Sequence, residues 1–195
     1  MEGIQEKKLD IRNEVQNAMD TLSSNELSKK TKKIEDRLFE FANFLEATIS
    51  LLYMNTDYEV RTHKIIKKCF SYNKVVVLPG FDEEKPEMRL MKVDNLETDL
   101  ILGPRGVLEP DPNRCKTVPL ESIDIAIIPG IAFDEKGGRI GTGKGCYDIL
   151  IPQLEITTRK VALALECQIF PQIPMESHDK HVDIIITEKR IIYKI

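Results

Sequence analysis

The sequence predicts an α/β fold, a three-layer α/β/α domain with a mixed, largely parallel sheet and helices at the N-terminus. Short apolar runs recur along the chain, and most are continuous rather than alternating, which is typical of strands buried on both faces. An amphipathic stretch between the first two runs is long enough for the crossover helix that joins parallel strands. The runs are TISLLYM at 48–54, KVVVLP at 74–79, DIAIIPG at 124–130, KVALALE at 160–166 and VDIIITE at 182–188.

The N-terminal part, residues 4–45, predicts two helices. It contains no proline, and apolar residues such as Ile34 and Leu38 recur at helical spacing. Ser23, followed by Glu26 three positions later, has the pattern of a capping box that starts the second helix. The lysine run LSKKTKK is interpreted as the solvated face of that helix rather than as an RNA-binding patch.

The middle of the chain changes in character. YEVRTHKIIKKCFSY, at 58–72, is the predicted crossover helix. The segment from Asp82 to Leu120 is rich in proline and charge and includes PRGVLEPDP, so we expect irregular structure with short strands there. The chain has 195 residues, of which 42% are hydrophobic and 31% charged, and it shows no repeat and no linker. Residues 1–195 are therefore expected to form a single domain.

Charge and composition argue against several classes of partner. Lys plus Arg number 28 against 32 for Asp plus Glu, a net charge of -4, so no global basic field favours nucleic acid. The N-terminus is charged from its second residue, and no apolar run approaches the roughly 18 residues of a membrane span. The four cysteines lack C-x-x-C spacing and are interpreted as buried or incidental thiols in a reducing cytosol. We expect a soluble, cytoplasmic protein, and a monomer because no long exposed apolar stripe is evident.

The most informative segment is IDIAIIPGIAFDEKGGRIGTGKGCYDILI, a buried strand followed by a glycine-rich loop and the start of a helix. Its glycines leave backbone N–H groups free to surround phosphate oxygens, while Arg139 and Lys144 add positive charge. The spacing differs from a Walker A loop, because Lys144 is followed by Gly145, and from the G-x-G-x-x-G of a dinucleotide fold. The alternative is a flexible hairpin whose glycines supply positive φ angles.

Two carboxylates flank these glycines, Asp134 on one side and Asp148 on the other. A carboxylate beside a phosphate loop suggests Mg²⁺, which takes one or two protein carboxylates and fills its other positions with water and phosphate oxygens. In the alternative interpretation Asp148 caps a helix and Asp134 holds a turn. Near the C-terminus, HDKH at 178–181 lacks a recognised metal-ligand spacing, and we interpret it as a polar loop before the last apolar run.

The segment PGIAFDEKGGRIGTGKGCYD resembles the P-G-x-A-F-D-x-x-G-x-R-[LI]-G-x-G-x-G-Y-Y-D element of the 5-formyltetrahydrofolate cyclo-ligase family. Three further pieces stand in the family's order, namely KLDIR in the first helix, EVRT after an apolar run, and GVLEP at 106–110. Together they span nearly the whole chain. The resemblance implies an α/β fold with a mixed sheet and a ligase that uses ATP and Mg²⁺ to convert 5-formyltetrahydrofolate into 5,10-methenyltetrahydrofolate, ADP and phosphate.

The resemblance also implies roles for individual residues. Catalysis by charge neutralisation would rest on Lys144 and Arg139. Metal binding would fall to Asp148 and Asp183, and the folate would contact Met54, Glu59 and the loop from Thr142 to Cys146. The implied ATP-binding residues are Lys8, Arg12, Arg139, Gly141, Thr142, Gly143, Lys144, Gly145, Cys146 and Tyr147.

Two positions depart from the family's element. Cys146 stands where the family has the first tyrosine of a pair, and Ile149 where an arginine is frequent. A thiol cannot stack on a pterin as tyrosine would, so the change bears on substrate affinity or identity. Two alternatives therefore stay open: a non-catalytic nucleotide- or folate-binding homologue of the same fold, and a different enzyme on a similar framework that does not need ATP, such as a sugar-phosphate isomerase or an acyl-CoA transferase.

Overall fold

The structure, a computed structural model, describes residues 3–82 and 87–194. Residues 83–86, part of the predicted irregular segment, lie outside the described residues. The helices are α1 (Ile4–Asp20), α2 (Ser24–Glu40), α3 (Ala42–Glu46), α4 (His63–Ser71) and α5 (Cys146–Leu150). The strands are β1 (Ile49–Leu51), β2 (Val75–Phe81), β3 (Met88–Val93), β4 (Leu100–Leu102), β5 (Leu108–Pro110), β6 (Ile125–Ile128), β7 (Ala132–Asp134), β8 (Arg139–Ile140), β9 (Arg159–Leu163), β10 (Ile169–Phe170), β11 (Ile184–Ile186) and β12 (Ile191–Tyr193).

One large sheet dominates the fold, with the strand order β12-β11-β9-β6-β1-β2-β3. Its five inner strands, each of which overlaps one of the five apolar runs, pair in parallel. The two edge strands, β3 and β12, are antiparallel to their neighbours. The predicted mixed, largely parallel sheet is therefore confirmed. The crossover helix is confirmed as well, because α4 joins the parallel strands β1 and β2.

Each face of this sheet carries its own hydrophobic core. Successive strand residues alternate between the two cores, as Ile127 and Ile128 of β6 illustrate. On one face the strands pack against the N-terminal helices and α4, through side chains such as Ile34 and Ile65. On the other they pack against α5 and the following turn, through side chains such as Leu150. The continuous apolar runs follow from this double burial, and helices on both faces give the predicted three layers.

The N-terminal segment folds into three helices rather than the two predicted. The capping box at the start of α2 is confirmed: the Glu26 N–H donates to Ser23 Oγ at 3.2 Å, and the Ser23 N–H donates to Glu26 Oε2 at 2.9 Å. At Phe41 the backbone turns to an extended conformation, with ψ of 115°, and α3 starts beyond it. The Lys74 ammonium donates to carbonyl oxygens of Phe44 and Ala47, which satisfies the end of this short helix.

Two small sheets complete the fold, a β4–β5 hairpin and a sheet with the order β10-β7-β8. Strands β7 and β8 lie within the glycine-rich segment and are joined by a tight turn at Gly137, whose φ is +83°. A side chain at Gly137 would also meet the Val182 carbonyl oxygen. Residues 132–140 thus form a hairpin, as in the alternative interpretation, and residues 141–145 form the glycine-rich loop itself. No helix in the described part of the chain is long and apolar enough to cross a membrane.

Candidate active site

A cavity of about 300 Å³ opens at the carboxyl ends of the central strands. Tyr53 and Met54 follow β1, Phe81 ends β2 and Pro129 follows β6, and all four line the cavity. Its other walls come from α1, from the β4–β5 hairpin and from the glycine-rich loop. Ligands of α/β sheets bind in this position, outside the carboxyl ends of parallel strands, where loops converge.

All but one of the residues to which the resemblance assigns a role line this cavity, although they are far apart along the chain. The exception is Asp183. Those that line it are Lys8, Arg12, Met54, Glu59, Arg139, Gly141, Thr142, Gly143, Lys144, Gly145, Cys146, Tyr147 and Asp148. The fold therefore brings together the first helix, the end of β1 and the loop before α5.

Asp183 is placed elsewhere, and the predicted pairing of Asp148 with Asp183 at a metal is corrected on this point. Asp183 stands just before β11, so it belongs to the amino end of a strand parallel to β9. Its Oδ2 accepts a hydrogen bond from the Lys160 N–H at 2.9 Å. The cavity lies at the carboxyl ends of the parallel strands, and Asp183 does not line it. Asp183 thus serves strand pairing.

The glycine-rich loop is tied at its base by an ion pair between Arg139 and Asp148. Arg139 is 5% exposed, and its Nη2 donates to Asp148 Oδ1 at 2.8 Å. Its Nη1 donates to the Pro129 carbonyl oxygen, and the Lys180 N–H donates to the same Oδ1 of Asp148. The Arg139 charge is thus largely compensated within the protein, and the pair holds β8, α5 and the loop together.

Helix α1 docks on the loop through Arg12, whose Nε donates to the Gly141 carbonyl oxygen at 3.0 Å. One turn earlier, the buried Lys8 ammonium contacts Glu176 at 2.9 Å and Asp179 at 2.5 Å. Burial lowers the pKa of Lys8, but the hydrogen bonds to Asp179 and Glu176 outweigh it and the pKa lies above its ordinary value. Lys8 therefore carries its charge into the cavity wall.

Lys144 differs from these cations because it is exposed at the loop and forms no ion pair with any residue in the ranges 3–82 and 87–194. The turn that presents it is flanked by Gly143 and Gly145, with φ of +96° and +68°. These backbone angles favour glycine. Lys144 is thus available to an anionic ligand in the cavity.

The carboxylate of Glu59 lines the cavity from the segment that follows β1, where the charges of Arg139 and Arg105 act on it. The side chain is buried, and its Oε2 accepts a hydrogen bond from the Thr56 N–H at 2.7 Å. Burial raises the pKa of Glu59 above its ordinary value. Tyr53, whose hydroxyl donates to the Val60 carbonyl oxygen, and Met54 line the cavity beside it. This part of the cavity offers apolar surface with one buried acidic group.

Sequence reasoning missed two groups of lining residues. Phe81, Arg105 and Leu108 come from the end of β2 and the β4–β5 hairpin, where the only signal was the unassigned GVLEP element. His178 and Asp179 belong to the HDKH segment, which we interpreted only as a polar loop.

The loop that contains the HDKH segment brings together Glu176, His178 and Asp179, whose ligand atoms lie within 4.8 Å of one another. This is the spacing of a small metal site. The two carboxylates already bind the Lys8 ammonium, however, so their charge is offset by the protein itself. The segment is a loop, as predicted, and its acidic residues anchor α1.

Comparisons with known proteins agree with this geometry. A sequence profile described as the 5-formyltetrahydrofolate cyclo-ligase family matches residues 4–188. A probable 5-formyltetrahydrofolate cyclo-ligase of Caenorhabditis elegans is 29% identical over 98% of each chain, and a 5-formyltetrahydrofolate cyclo-ligase of Mus musculus is 26% identical over 93% of each.

Solved structures are similar in fold. The NMR structure of the 5,10-methenyltetrahydrofolate synthetase of Aquifex aeolicus superposes with a TM-score of 0.83 and 29% identity, covering 96% of this chain and 92% of that one. The synthetase of Mycoplasma pneumoniae, at 21% identity, gives a TM-score of 0.74 over 93% and 98% of the two chains and supports the fold. With its profile match, its relatives and its fold in agreement, this chain belongs to the 5-formyltetrahydrofolate cyclo-ligase family.

Proposed function

We propose that this protein catalyses the ATP-dependent cyclisation of 5-formyltetrahydrofolate to 5,10-methenyltetrahydrofolate, with release of ADP and phosphate. The observation that carries the proposal is the composition of one cavity. Lys8, Arg12 and Lys144 bring positive charge from two distant segments, and Tyr53 and Phe81 bring aromatic surface to the same space. A nucleotide's phosphates suit the first group, and the ring system of a folate suits the second.

The chemistry explains why a cationic site is needed. An N-formyl amide oxygen is a poor nucleophile and a worse leaving group, so the reaction proceeds by transfer of the γ-phosphoryl group to that oxygen. The folate N10 then attacks the activated carbon, and phosphate leaves with the former formyl oxygen. Such a transfer is accelerated mainly by alignment and by neutralisation of the phosphate charge.

Within this scheme each cation has a distinct task. Lys144 carries no intramolecular ion pair among the described residues, so we assign it the most direct contact with the transferred phosphoryl group. Arg12 holds the Gly141 carbonyl oxygen and so orients the loop that would surround the phosphates. Lys8 contributes positive charge from α1 although Glu176 and Asp179 bind it. Arg139 acts through Asp148 as a positioning residue.

The family implies Mg²⁺ as a cofactor, and the cavity lining offers a carboxylate that could hold the ion. Asp148 lines the cavity, and one of its oxygens, Oδ1, is engaged by Arg139 and by the Lys180 N–H. One carboxylate together with phosphate oxygens and water is within the usual coordination of Mg²⁺. We propose that Asp148 holds the ion through its other oxygen, without Asp183. Bound there, Mg²⁺ would neutralise phosphate charge.

Turnover decides between this proposal and the non-catalytic homologue. Purified protein is mixed with ATP, Mg²⁺ and either 5-formyltetrahydrofolate or unformylated tetrahydrofolate, and ADP and the methenyl product are quantified. We expect ADP and methenyl product in equal amounts, and only with the formylated folate. Binding of both ligands without turnover would instead favour the non-catalytic homologue.

We also propose that the chain works as a cytoplasmic monomer of one domain, with small-molecule ligands and no nucleic-acid partner. Its net charge of -4 argues against a nucleic-acid partner. Light scattering of the purified protein at several concentrations tests the oligomeric state, and a mass that rises with concentration would contradict the monomer.

A further inference from the structure

The β4–β5 hairpin brings an arginine to the cavity that neither the sequence motifs nor the scheme above employs. Arg105 lies in the turn between the two strands and lines the cavity together with Val107 and Leu108. Its guanidinium sits over the ring of Phe81, 3.9 Å from the ring centroid. Stacking of this kind is favourable for arginine and limits the directions in which the guanidinium can point.

The position of Arg105 is set by several contacts. The Phe81 N–H donates to Glu109 Oε2 at 2.9 Å, which ties the end of β2 to β5. The hairpin closes through the Gly103 N–H, which donates to the Val107 carbonyl oxygen at 2.8 Å. The buried Glu109 carboxylate occupies the space where a side chain at Gly103 would be, so Gly103 permits this close approach. Arg105 and the Phe81 ring on which it stacks therefore belong to a well-positioned part of the cavity wall.

Arg105 forms no direct ion pair within the described part of the protein, although the buried carboxylates of Glu59 and Glu109 lie close enough for its charge to act on them. Among residues 3–82 and 87–194, no carboxylate lies within ion-pair distance of its guanidinium, whereas Lys8 and Arg139 both have carboxylate partners. A guanidinium with free donors presents a planar fork that fits a carboxylate in bidentate fashion.

The two proposed ligands differ in where they carry negative charge. The cations assigned above to the phosphates of ATP come from α1 and the glycine-rich loop, and they are Lys8, Arg12 and Lys144. The folate carries its negative charge only on the carboxylates of its glutamate end, since its pteridine and aminobenzoyl parts are uncharged. A separate guanidinium on the hairpin, without a direct ion pair among the described residues, is therefore suited to the folate rather than to the nucleotide.

We propose that Arg105, supported by the Phe81 ring, is a specificity-determining residue that binds a carboxylate at the glutamate end of the folate substrate. This inference rests on the proposed function. It assigns Arg105 to recognition of the substrate and gives it no part in the chemical step.

The test compares two substrates that differ only in this end: 5-formyltetrahydrofolate, and the primary amide of 5-formyltetrahydropteroate, which lacks the glutamate and carries no carboxylate. For each, kcat/KM is measured with wild type, Arg105→Ala and Arg114→Ala, the last being a matched control because Arg114 is exposed and does not line the cavity. Arg105→Ala should reduce the preference for the glutamate-bearing substrate by about tenfold, the size of one lost charge-assisted contact, and leave the KM for ATP unchanged. Arg114→Ala should retain the full preference.

An unchanged preference in a folded Arg105→Ala protein would overturn the inference, and so would an equal rise in the KM for ATP. If the alanine variant does not fold, Arg105→Gln, whose uncharged planar amide can still pack on the Phe81 ring, gives the same comparison. Failure of the proposed function is distinguishable, because wild type would then form no methenyl product from either substrate.

Discussion

Arg139 Nη2 donates to Asp148 Oδ1 at 2.8 Å, and this buried ion pair closes the base of the glycine-rich loop. The two side chains are only 4% and 16% exposed. The resemblance assigns Arg139 to the nucleotide and Asp148 to a metal, and in the structure these two residues are partners in one ion pair.

Asp148→Ala should lower the free energy of unfolding by about 3 kcal/mol, because it leaves the buried Arg139 guanidinium without a counter-charge. Urea unfolding followed by circular dichroism measures the loss. The double variant Arg139→Met with Asp148→Leu should recover much of it, since it removes both charges together. Equal losses in the single and double variants would mean that the pair does not govern stability here.

Lys144→Ala should reduce ATP-dependent turnover by at least about tenfold, because it removes an exposed positive charge that a phosphate would use. The fold should not change, since the side chain is exposed. Lys136→Ala is the matched control, being an exposed lysine of the same segment outside the cavity. Normal turnover and normal ATP affinity in a folded Lys144→Ala protein would show that this loop is not the nucleotide site.

Glu59→Gln should raise the KM for the folate far more than the KM for ATP. Glu59 lies in the segment that follows β1, whereas the cations proposed for the phosphates come from α1 and the glycine-rich loop. Initial-rate kinetics with each substrate varied in turn separates the two constants. Equal changes in both would indicate a structural role for Glu59.

The same substitution should alter how stability depends on pH. Burial raises the pKa of Glu59 above the ordinary value of 4.5, so the folded state binds the proton more tightly than the unfolded state does. In wild type this contribution to stability is fully present below pH 4.5 and is lost as the pH rises through the raised pKa. Glu59→Gln should therefore gain stability relative to wild type as the pH increases from 4 to 8, measured by urea unfolding at each pH. A constant difference would contradict the raised pKa.

Cys146→Tyr should preserve activity or tighten folate binding. The half-buried Cys146 lines the cavity, and an aromatic ring at this position offers about 1 kcal/mol of stacking that a thiol lacks. Calorimetric titration with the folate and with ATP measures both affinities. A folded variant that binds ATP but no longer binds the folate would show that the pocket is shaped around the small thiol, and the substrate would then differ from the family's usual one.

The sequence by itself determined the elements with local signatures. Five continuous apolar runs became the five parallel inner strands, and the Ser23–Glu26 pattern became the capping box of α2. The local sequence is sufficient for these, because a continuous apolar run is typical of a strand buried on both faces and a capping box joins residues three positions apart. The motifs were also sufficient for the family, whose profile matches residues 4–188.

The tertiary structure alone decided which side chains meet. Asp183 and Asp148 both belong to motif-like segments, but only the strand direction places Asp183 at the amino end of β11 and away from the cavity. Two contacts join segments that are far apart in sequence: the ion pair of Lys8 with Glu176 and the stacking of Arg105 on Phe81. No periodic pattern in the sequence links the partners of either contact. Such contacts depend on how whole elements pack against one another, and spacing along the chain carries no record of that packing.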